Sequence, residues 1–514
     1  MNTNTFSIMI DLLKETSQKN ILKHTLSCLV VFFLVHSPTV AQSSTMNDKG
    51  ALRFTSSKKE LENAFNWAKD KALSYAHDNS DPVGYWYEAA LPNREAFCMR
   101  DVSHQAIGAE ILGLGAHNYN MLLKFAQNIS SKRDYCSFWE INRYNKPAPE
   151  DYANDQDFWY NLPANFDVVY NAYRLYEWTG NRDYLENEAL KNFYDLSMNQ
   201  YVDHWGLGSN DVLDRNRSMH LAENLATTRF GNHRGIPTYN EGGRGSTLLG
   251  IDMTASLIAA YKAYTEILKQ SGEKQKAKGL ETKIAQEEAF MNEFWWDDQK
   301  KQYRSIWYED DTFDYFMVGD NQAFLHYPIY FNAITDSEKV DQIVSGYYDN
   351  ADRLIVELKS YLPIIFYEHN FPEKANQMII DLCSEKNKRR DYPENSFTVI
   401  EHITRGLMGI EPDAAQNSFT TRSRLKQEID WAEMKYVPIL SNRISVRHEG
   451  KSRTIVTNES GATIYWKPKV SGSYEYLYLN GKRTNCTQER EGENPYSYVT
   501  IALHEGESIT MKTP

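Results

Sequence analysis

Cysteine is scarce in this chain of 514 residues, with five in all. Cys28 lies inside a short apolar run near the start, and the remaining four are too few for a disulfide scaffold. These four are Cys98, Cys136, Cys383 and Cys486. None of them has the CxxC spacing that is typical of a structural zinc site. One bridge, for example between Cys98 and Cys136, and buried free thiols are both compatible with the spacing.

Positive charge is also in deficit, because 56 Lys and Arg residues stand against 69 Asp and Glu residues, for a net charge of −13. An acidic chain lacks the positive surface that attracts nucleic-acid backbones and anionic membranes. We therefore expect no nucleic-acid partner. The chain also lacks a fixed repeat of about 33 to 40 residues, which argues against a tetratricopeptide or ankyrin solenoid.

A long apolar run is missing from the first fifty residues, where LSCLVVFFLV at 26–35 is only ten residues long. Such a run is too short to span a bilayer as a helix. Lysines precede it, and the small-residue sequence Thr39-Val40-Ala41 follows it. This pattern predicts a signal peptide over 1–41, cleaved after Ala41, and a linker over 42–56. We expect a secreted or periplasmic protein with no stable membrane insertion after cleavage.

Aromatic residues are abundant, at 13% of the chain. Over 57–436 the apolar spacing predicts roughly a dozen helices paired as hairpins, one of them ending at Gly180. Over 437–514 the period changes to two, and Glu449-Gly450 and Asn480-Gly481 supply turn residues. We expect a mainly α fold in which a small C-terminal antiparallel β-sandwich packs on a helical barrel.

Two loops concentrate ionisable groups near predicted helix starts. In the first, over 84–105, Asp101 lies at a helix entry close to Arg94, Arg100 and His104. A capping role explains Asp101 alone, but a connecting loop seldom holds so many ionisable groups among aromatics. In the other loop, over 389–410, Glu394 also precedes an apolar helix, where a favourable interaction with the helix dipole is the simpler alternative.

A loop of about 30 residues over 135–167 combines aromatic rings with amides and carboxylates. Flat aromatic faces stack on the C–H faces of sugars, and polar groups bind the hydroxyls. A buried aromatic plug that closes the barrel is the alternative. The candidate substrate-binding residues here are Trp139, Glu140, Asp157, Trp159, Tyr160, Asn161 and Asn165.

The Gly-rich stretch over 229–252 contains Glu241 just ahead of a helix, together with Tyr239 and Arg244. It lacks the lysine of a phosphate-binding loop. His233 has no second His or Cys at ligand spacing, so we expect no metal and no other cofactor. The glycines are more consistent with close approach of the backbone to a ligand.

The chain resembles the six-hairpin glycosidase superfamily, which includes trehalase-, glucoamylase- and rhamnosidase-like enzymes. The resemblance covers about residues 55–514 and rests on Met99-Arg100-Asp101, on Tyr392-Pro393-Glu394, on the helix that runs into 406–410, and on RHEGKSRTIVTNESG in the β region. It implies an (α/α)6 barrel over 57–436 and a β-sandwich domain over 437–514. The chain is also similar to secreted proteins of carbohydrate-degrading bacteria, some of which resemble β-glucuronidases.

The resemblance implies an exo-acting, inverting glycoside hydrolase with two carboxylates among Asp101, Glu241 and Glu394 as its catalytic pair. An inverting pair lies about 6.5 to 9.5 Å apart. The substrate would be a plant or host glycan with a terminal uronic acid or deoxy sugar, and arginines such as Arg94, Arg100 and Arg244 would suit the uronic acid. Two alternatives remain: a polysaccharide lyase with His104, Tyr239 or Asn240 at its centre, and a non-catalytic glycan-binding protein.

Overall fold

The computed structural model describes residues 52–214, 235–240, 247–315, 325–491 and 494–514. Twelve helices in these ranges build the helical region and are numbered here in chain order. They are α1 Lys59–Ser74, α2 Met99–Ile111, α3 Gly115–Gln127, α4 Ala164–Thr179, α5 Glu188–Leu196, α6 Ile251–Gln270, α7 Lys274–Glu293, α8 His326–Tyr330, α9 Ser337–Asn350, α10 Leu362–Glu368, α11 Pro372–Leu382 and α12 Pro393–Glu401. Shorter helical segments are Ser131–Arg133, Asp183–Glu186, Ser197–Tyr201, Val202–Trp205, Ser209–Asp214, Ala351–Arg353, Val356–Lys359, His402–Leu407 and Ala414–Gln416.

The even-numbered helices form an inner layer and the odd-numbered helices an outer one. All of α2 except Arg100 is buried, and so is all of α12, whereas α1 buries only one face. The inner helices α2, α4, α6, α8 and α10 each pack against the next in this series. Helix α10 packs on His402–Leu407, the π-helical continuation of α12, and α12 packs on α2, so the series of contacts returns to its start. Helices α2 and α12 are buried nearly all round because both of their faces are covered by other elements, although each also buries polar residues.

Helices α2 and α12 approach closely because Gly108 has no side chain. A Cβ atom added at Gly108 would lie 2.0 Å from the carbonyl oxygen of Phe397. Such a contact cannot be relieved by a rotamer change, because the opposing atom belongs to the backbone. The short separation between α2 and α12 brings their first turns into contact as well.

We expect Gly108→Ala to lower the free energy of unfolding by about 3 kcal/mol, because α2 and α12 must move apart. Gly279→Ala in α7 is the matched control, since a Cβ atom there meets nothing within 4 Å. The control should raise stability by about 0.5 to 1 kcal/mol through helix propensity. Urea unfolding followed by circular dichroism measures both changes, and equal effects at the two positions would contradict the close-packing argument.

Two larger sheets are built mainly from the part of the chain that follows the helices. The first has seven antiparallel strands in the order Arg53–Ser56, Trp431–Ile439, Asn442–Glu449, Arg453–Ser460, Ser508–Lys512, Tyr476–Leu479 and Lys482–Asn485. The second has four strands in the order Glu411–Asp413, Ser418–Thr421, Ile464–Pro468 and Ile501–Leu503. A three-stranded sheet contains Val470–Ser471, Asn494–Tyr498 and Thr487–Glu491. The indole of Trp178 in α4 donates a 2.7 Å hydrogen bond to the carbonyl of Pro438, which links the helical layer to the first sheet.

Short strands also lie within the helical region. Four of them form one sheet, namely Thr247–Gly250, Gln302–Tyr308, Trp296–Asp297 and Phe313–Tyr315. The remaining pairs and triplets are Ala76–His77 with Trp86–Tyr87, Ala96–Cys98 with Glu140–Asn142 and Lys146–Pro147, Tyr152–Asn154 with Asp157–Phe158, and Tyr160–Asn161 with Gly235–Ile236.

The structure corrects three expectations about the β region. Residues 53–56, assigned to a linker from the sequence, form an edge strand in which Arg53 pairs with Lys435. The strands of the C-terminal β region begin at Glu411 rather than at 437, because 418–421 and 431–439 are alternating apolar segments that belong to its sheets. The second sheet is not purely antiparallel, since Ser418 and Tyr465 lie on paired parallel strands.

The structure also bears on one helix end, the cysteines and the helix lengths. Helix α4 ends at Gly180, which adopts a left-handed conformation with φ +67. Cys98, Cys136, Cys383 and Cys486 are free thiols, so the bridge between Cys98 and Cys136 is absent. Among the described helices, none is both long enough and apolar enough to cross a membrane.

Candidate functional site

Four buried carboxyl groups lie in the first turns of inner helices. Asp101 is the third residue of α2, Asp167 the fourth of α4, Asp252 the second of α6 and Glu394 the second of α12. Their side chains belong to residues that are at most 4% exposed. A helix N-terminus carries a partial positive charge, which favours a carboxylate in the first turn. The inner helices therefore assemble an acidic cluster at one end of the helical layer.

Asp101 and Glu394 are in direct contact through their carboxyl groups. Asp101 is held on both oxygens, because the hydroxyl of Tyr392 donates to Oδ1 at 3.1 Å and the thiol of Cys98 donates to Oδ2. On the other side of the pair, Nδ1 of His104 lies 3.4 Å from Oε1 of Glu394. Two carboxyl groups in contact cannot both be ionised at low cost, so they share one proton over a wide pH range.

This contact differs from the arrangement expected if Asp101 and Glu394 alone were an inverting catalytic pair. An inverting pair needs about 6.5 to 9.5 Å between its carboxyl groups to admit a water molecule. Asp101 and Glu394 leave no such space between them. The reason is the close packing of α2 on α12, which brings the two first turns together. Asp101 and Glu394 therefore form one unit rather than the two opposed groups.

Asp167 is the carboxyl group that faces open space. It lines a void of about 10 Å³ together with Arg100, His104, Asn171 and other residues of α2, α4, α8 and the start of α10. A void of this size holds about one water molecule. Oδ1 of Asp167 accepts a 2.5 Å hydrogen bond from the hydroxyl of Tyr239, and Oδ2 has no hydrogen-bond partner among the described residues.

Aromatic rings border this void, since Tyr330 and Tyr361 line it and Tyr239 is hydrogen-bonded to Asp167. Tyr361 stacks on His104 with centroids 3.4 Å apart, and Tyr327 stacks on Tyr239 at 4.3 Å. Tyr330 meets Tyr361 edge-on at 5.1 Å. Aromatic faces arranged around a few polar groups are characteristic of sugar sites, because the ring faces contact C–H groups and the polar groups select hydroxyls.

Arg100 is the cation of the cluster and the residue of α2 that escapes full burial. Its guanidinium lies 5.8 Å from the ring centroid of Trp139 and 5.9 Å from that of Tyr239. Its charge lowers the pKa of Asp101, Glu394 and Asp167. Arg100 thus stands between two aromatic faces and beside three carboxyl groups.

Burial outweighs Arg100 in setting the protonation of these groups. Burial raises the pKa of Asp101 and of Glu394 to about 7, with their mutual contact adding to the rise at Asp101. Burial raises the pKa of Asp167 to about 8, with Asp252 and Asp101 adding to the rise. Burial lowers the pKa of His104 to about 3, so this imidazole is neutral across the physiological range. The site at neutral pH therefore contains protonated carboxyl groups that can donate protons.

The raised pKa of Asp167 predicts a pH dependence of stability. An unfolded aspartate has a pKa of about 3.9, so between about pH 4 and pH 8 only the folded state holds this proton, and stability falls as the pH rises. We expect the free energy of unfolding of the wild type, relative to Asp167→Asn, to fall by about 1.4 kcal/mol per pH unit in that window. Urea titrations at pH 5, 6 and 7 measure this difference, and a difference that grows with pH would contradict the assignment.

Asp252 fixes the segment that carries Tyr239. Its Oδ2 accepts hydrogen bonds from the hydroxyl of Thr238 at 2.9 Å and from the backbone N–H of Tyr239 at 2.6 Å. Its Oδ1 accepts from the N–H of Met253 at 3.0 Å. With both oxygens occupied, Asp252 positions Tyr239 against Asp167 rather than facing the void.

A second acidic cluster lies around Arg94. Nη2 of Arg94 binds Oε2 of Glu140 at 2.6 Å and lies 3.6 Å from Oδ2 of Asp151 and 3.7 Å from Oε2 of Glu150. Burial raises the pKa of Glu140 to about 8, although Arg94 opposes the rise. Glu140 pairs with Cys98 across two strands, so this cluster lies behind Asp101. Arg94 is engaged by these carboxylates, which makes it a less suitable partner for a sugar carboxylate than its sequence position suggests.

Several aromatic and amide residues of the long loop face the interior. Trp159 packs edge-on against Trp139 at 5.1 Å. The hydroxyl of Tyr160 donates to Oδ1 of Asn165 at 2.5 Å, and Nδ2 of Asn165 donates to Oγ of Ser197 at 3.2 Å. These internal bonds occupy the polar atoms of both residues, so Tyr160 and Asn165 support the site from behind.

The other two candidates of this loop lie apart from each other. Nδ2 of Asn161 donates to the carbonyl of Thr238 at 2.6 Å, next to the segment that carries Tyr239. Asp157 belongs to a two-stranded hairpin in which it pairs with Asn154. Glu241 and Arg244 lie outside the described residues, so their placement stays a prediction from the sequence.

The sequence missed four residues of the site: Asp167, Asp252, Tyr327 and Tyr361. Asp167 and Asp252 begin strongly apolar helices directly after aromatic or Gly-rich loops, which is the signal that singled out Asp101 and Glu394. Tyr327 and Tyr361 carry no such signal, because tyrosines in apolar segments are ordinarily core residues.

Solved structures provide the comparison with known proteins, since no family model and no curated protein matches the sequence. An α-L-rhamnosidase from Dictyoglumus thermophilum matches over 90% of this chain at 12% identity with a TM-score of 0.55, covering 50% of that chain. An α-L-rhamnosidase from Aspergillus terreus matches over 89% of this chain at 12% identity with a TM-score of 0.55, and the match covers 50% of the rhamnosidase. The α-L-rhamnosidase of Streptomyces avermitilis, solved with L-rhamnose, matches over 90% of this chain at 12% identity with a TM-score of 0.55, and the match covers 42% of the rhamnosidase.

These likenesses establish the fold. The chain shares its overall fold with these rhamnosidases, which agrees with the architecture that the resemblance inferred from the sequence implies. The chain spans about half the length of the solved structures that it matches.

Proposed function

We propose that this chain is a secreted, exo-acting glycoside hydrolase built on a closed (α/α)6 barrel, and that it removes a terminal sugar from a plant or host glycan with inversion. The observation that carries the proposal is the position of Asp167. It faces a void enclosed by tyrosines and lies beside Arg100 and the Asp101–Glu394 unit. The shared fold with α-L-rhamnosidases supports the same class of reaction.

Asp167 suits the role of general acid. Glycoside hydrolysis needs one carboxylic acid that protonates the leaving oxygen. With a pKa raised by burial to about 8, Asp167 carries its proton at neutral pH. The void beside it has space for about one water molecule next to Oδ2 of Asp167, which has no hydrogen-bond partner among the described residues.

The Asp101–Glu394 unit suits the role of general base. A pair that shares one proton carries one negative charge, and Arg100 stabilises that charge. Cys98 and Tyr392 hold Asp101, which leaves Glu394 as the member that meets the attacking water. Asp101 and Glu394 thus keep the catalytic role inferred from the sequence, and Asp167 supplies the opposed group.

The sugar is a terminal deoxy sugar or a terminal uronic acid. L-rhamnose is the ligand of one structural neighbour, and a deoxy sugar suits the aromatic enclosure of Tyr327 and Tyr361. A uronic acid is the alternative, in which Arg100 binds the carboxylate. The two sugars differ at C5, where one has a methyl group and the other a carboxylate.

The chemistry of the site does not favour the two rival functions. A lyase needs a base that accepts a proton from the sugar ring, but the pKa of His104 is lowered by burial to about 3 and burial raises that of Tyr239 well above its ordinary value. A glycan-binding protein has no use for buried, protonated carboxyl groups, which cost stability at neutral pH.

A panel of oligosaccharides tests the proposal. Purified protein is incubated with oligosaccharides ending in rhamnose, fucose, glucuronic acid or galacturonic acid, and the products are separated by ion-exchange chromatography. Release of a single monosaccharide with inverted anomeric configuration, followed by NMR, is the expected result. Products with the ultraviolet absorbance of a new 4,5-double bond would show that the protein is a lyase. Binding without turnover would show that it is a glycan-binding protein.

A further inference from the structure

A groove of about 1030 Å³ lies beside the ends of α8 and α10. Its walls include Ile329 near the end of α8, Glu368 at the end of α10, and Arg422 after the second sheet begins. The void beside Asp167 and the groove share no lining residue, although Tyr330 and Phe331 line the void and their chain neighbours Ile329 and Asn332 line the groove. The groove is thus distinct from the candidate active site.

The charges that line the groove balance. Three cationic and three carboxylate side chains face it, namely Arg422, Arg424, Lys469, Asp341, Glu368 and Glu411. Part of this charge is structural, because Arg405 binds Glu411 through Nε at 3.0 Å and through Nη2 at 2.9 Å. A lining of balanced charge attracts neither a polyanion nor a polycation, and it offers donors and acceptors side by side.

Amide and hydroxyl groups extend this mixture of donors and acceptors. Ser337 and Ser345 lie two turns apart on the face of α9 that borders the groove, and Asn332 and Asn494 contribute amides. Phe371 adds an apolar surface. Neighbouring hydroxyls of a sugar each need a donor and an acceptor, and one apolar face suffices for ring stacking.

We propose that this groove binds a neutral oligosaccharide segment of several sugar units, away from the site of hydrolysis. A volume near 1000 Å³ is at the upper end of small-molecule pockets and is large enough for an extended ligand. The balanced charge selects a neutral chain over a uronic-acid polymer. The inference rests on the proposed function only in the choice of glycans as the ligands to be tried.

The shape and chemistry of the groove argue against a protein partner. Protein interfaces have an apolar core that is depleted of charged residues. Here six charged side chains line a single recess, and the apolar residues, such as Ile334, Val340 and Phe371, are in the minority. In a recess lined in this way, each sugar hydroxyl can exchange a hydrogen bond to water for one to a polar side chain, as in other sugar sites.

Calorimetric titration with mannohexaose, cellohexaose, arabinohexaose and hexagalacturonic acid tests the proposal. Ser345→Trp fills the groove from an exposed position of α9, and Asp349→Trp, exposed on the same helix but outside the groove, is the matched control. We expect at least one neutral hexasaccharide to bind, Ser345→Trp to weaken its binding at least tenfold, and Asp349→Trp to leave it unchanged. Asn494→Trp, on the opposite wall, repeats the test if Ser345→Trp fails to fold.

Three results would overturn the proposal: no binding of any neutral hexasaccharide, binding that both tryptophan variants leave unchanged, or binding of hexagalacturonic acid alone. Hydrolysis is measured in parallel on a small aryl glycoside, which lacks the extended chain of sugars that the groove is proposed to bind. Turnover should be equal in wild type, Ser345→Trp and Asp349→Trp. Absence of turnover with groove binding intact would refute the proposed hydrolase and leave the groove site standing.

Discussion

Asp167→Asn is expected to lower kcat by about 10²- to 10⁴-fold, the usual contribution of a positioned general acid. The amide cannot donate the proton that the leaving oxygen needs, although it fills the same space beside Tyr239. The loss should be smaller for a substrate with a good leaving group such as nitrophenol, because departure of that group needs little protonation. Comparing an aryl glycoside with a natural disaccharide therefore separates a general acid from a residue that only binds the sugar.

Asp183→Asn is the control for this variant, because Asp183 is an exposed aspartate in a short helix outside the candidate site. It should keep wild-type kcat on both substrates. An Asp167→Asn protein with wild-type turnover on the disaccharide would remove Asp167 from the mechanism. Equal losses on both substrates would assign it to binding rather than proton donation.

Glu401→Gln is expected to destabilise the protein by about 3 to 5 kcal/mol, as removal of one partner from a buried ion pair does. Glu401 is 1% exposed and its Oε1 accepts from Nη2 of Arg174 and from Nη1 of Arg405, both at 2.5 Å. Burial alone would raise the pKa of Glu401, but the two arginines lower it to about 2. The neutral amide leaves both guanidinium groups buried without their shared counter-charge.

The pH dependence of this effect has a defined sign. An unfolded glutamate has a pKa of about 4.3, so the stabilisation from Glu401 is fully present above that pH and is lost as the pH falls towards 2. Urea unfolding at pH 7 and pH 3 should show a smaller difference between wild type and Glu401→Gln at the lower pH. Glu188→Gln, whose parent side chain is 93% exposed, is the control and should change stability by less than 0.5 kcal/mol. A change of that size at Glu401 would contradict the buried network.

The sequence predicts the helical layer well because its signal is local. Apolar residues at helical spacing and stop residues such as Gly180 are read within single segments. The strand over 431–439 is harder, because WAEMKYVPI contains charged residues and Pro438, which weaken its alternation. The strand over 53–56 is only four residues long and takes its structure from a partner far along the chain.

The same contrast between local and long-range signals applies to the residues of the candidate site. Asp101 and Glu394 could be proposed from the loops that precede them, but their contact could not, because it joins residues 293 positions apart in the chain. That contact depends on the separation of two helices, and Gly108 sets it from a position two turns away. Asp167 begins an apolar helix after an aromatic loop, as Asp101 does, but nothing in ANFDVVY shows that its carboxyl group borders a void. Which of many buried carboxyl groups faces a void is a property of tertiary packing alone.

The edge strand at 53–56 has a consequence for the order of folding. Ser57 contacts Trp431 across a separation of 374 residues, and Arg53 pairs with Lys435. During synthesis the strand has no partner until nearly the whole chain has been made. Closing a loop of this size is slow, and an unpaired edge exposes strand 431–439 to other chains in the meantime. Strand 53–56 is therefore made early in synthesis but pairs late in folding. The seven-stranded sheet can be completed only after strand 431–439 has been made.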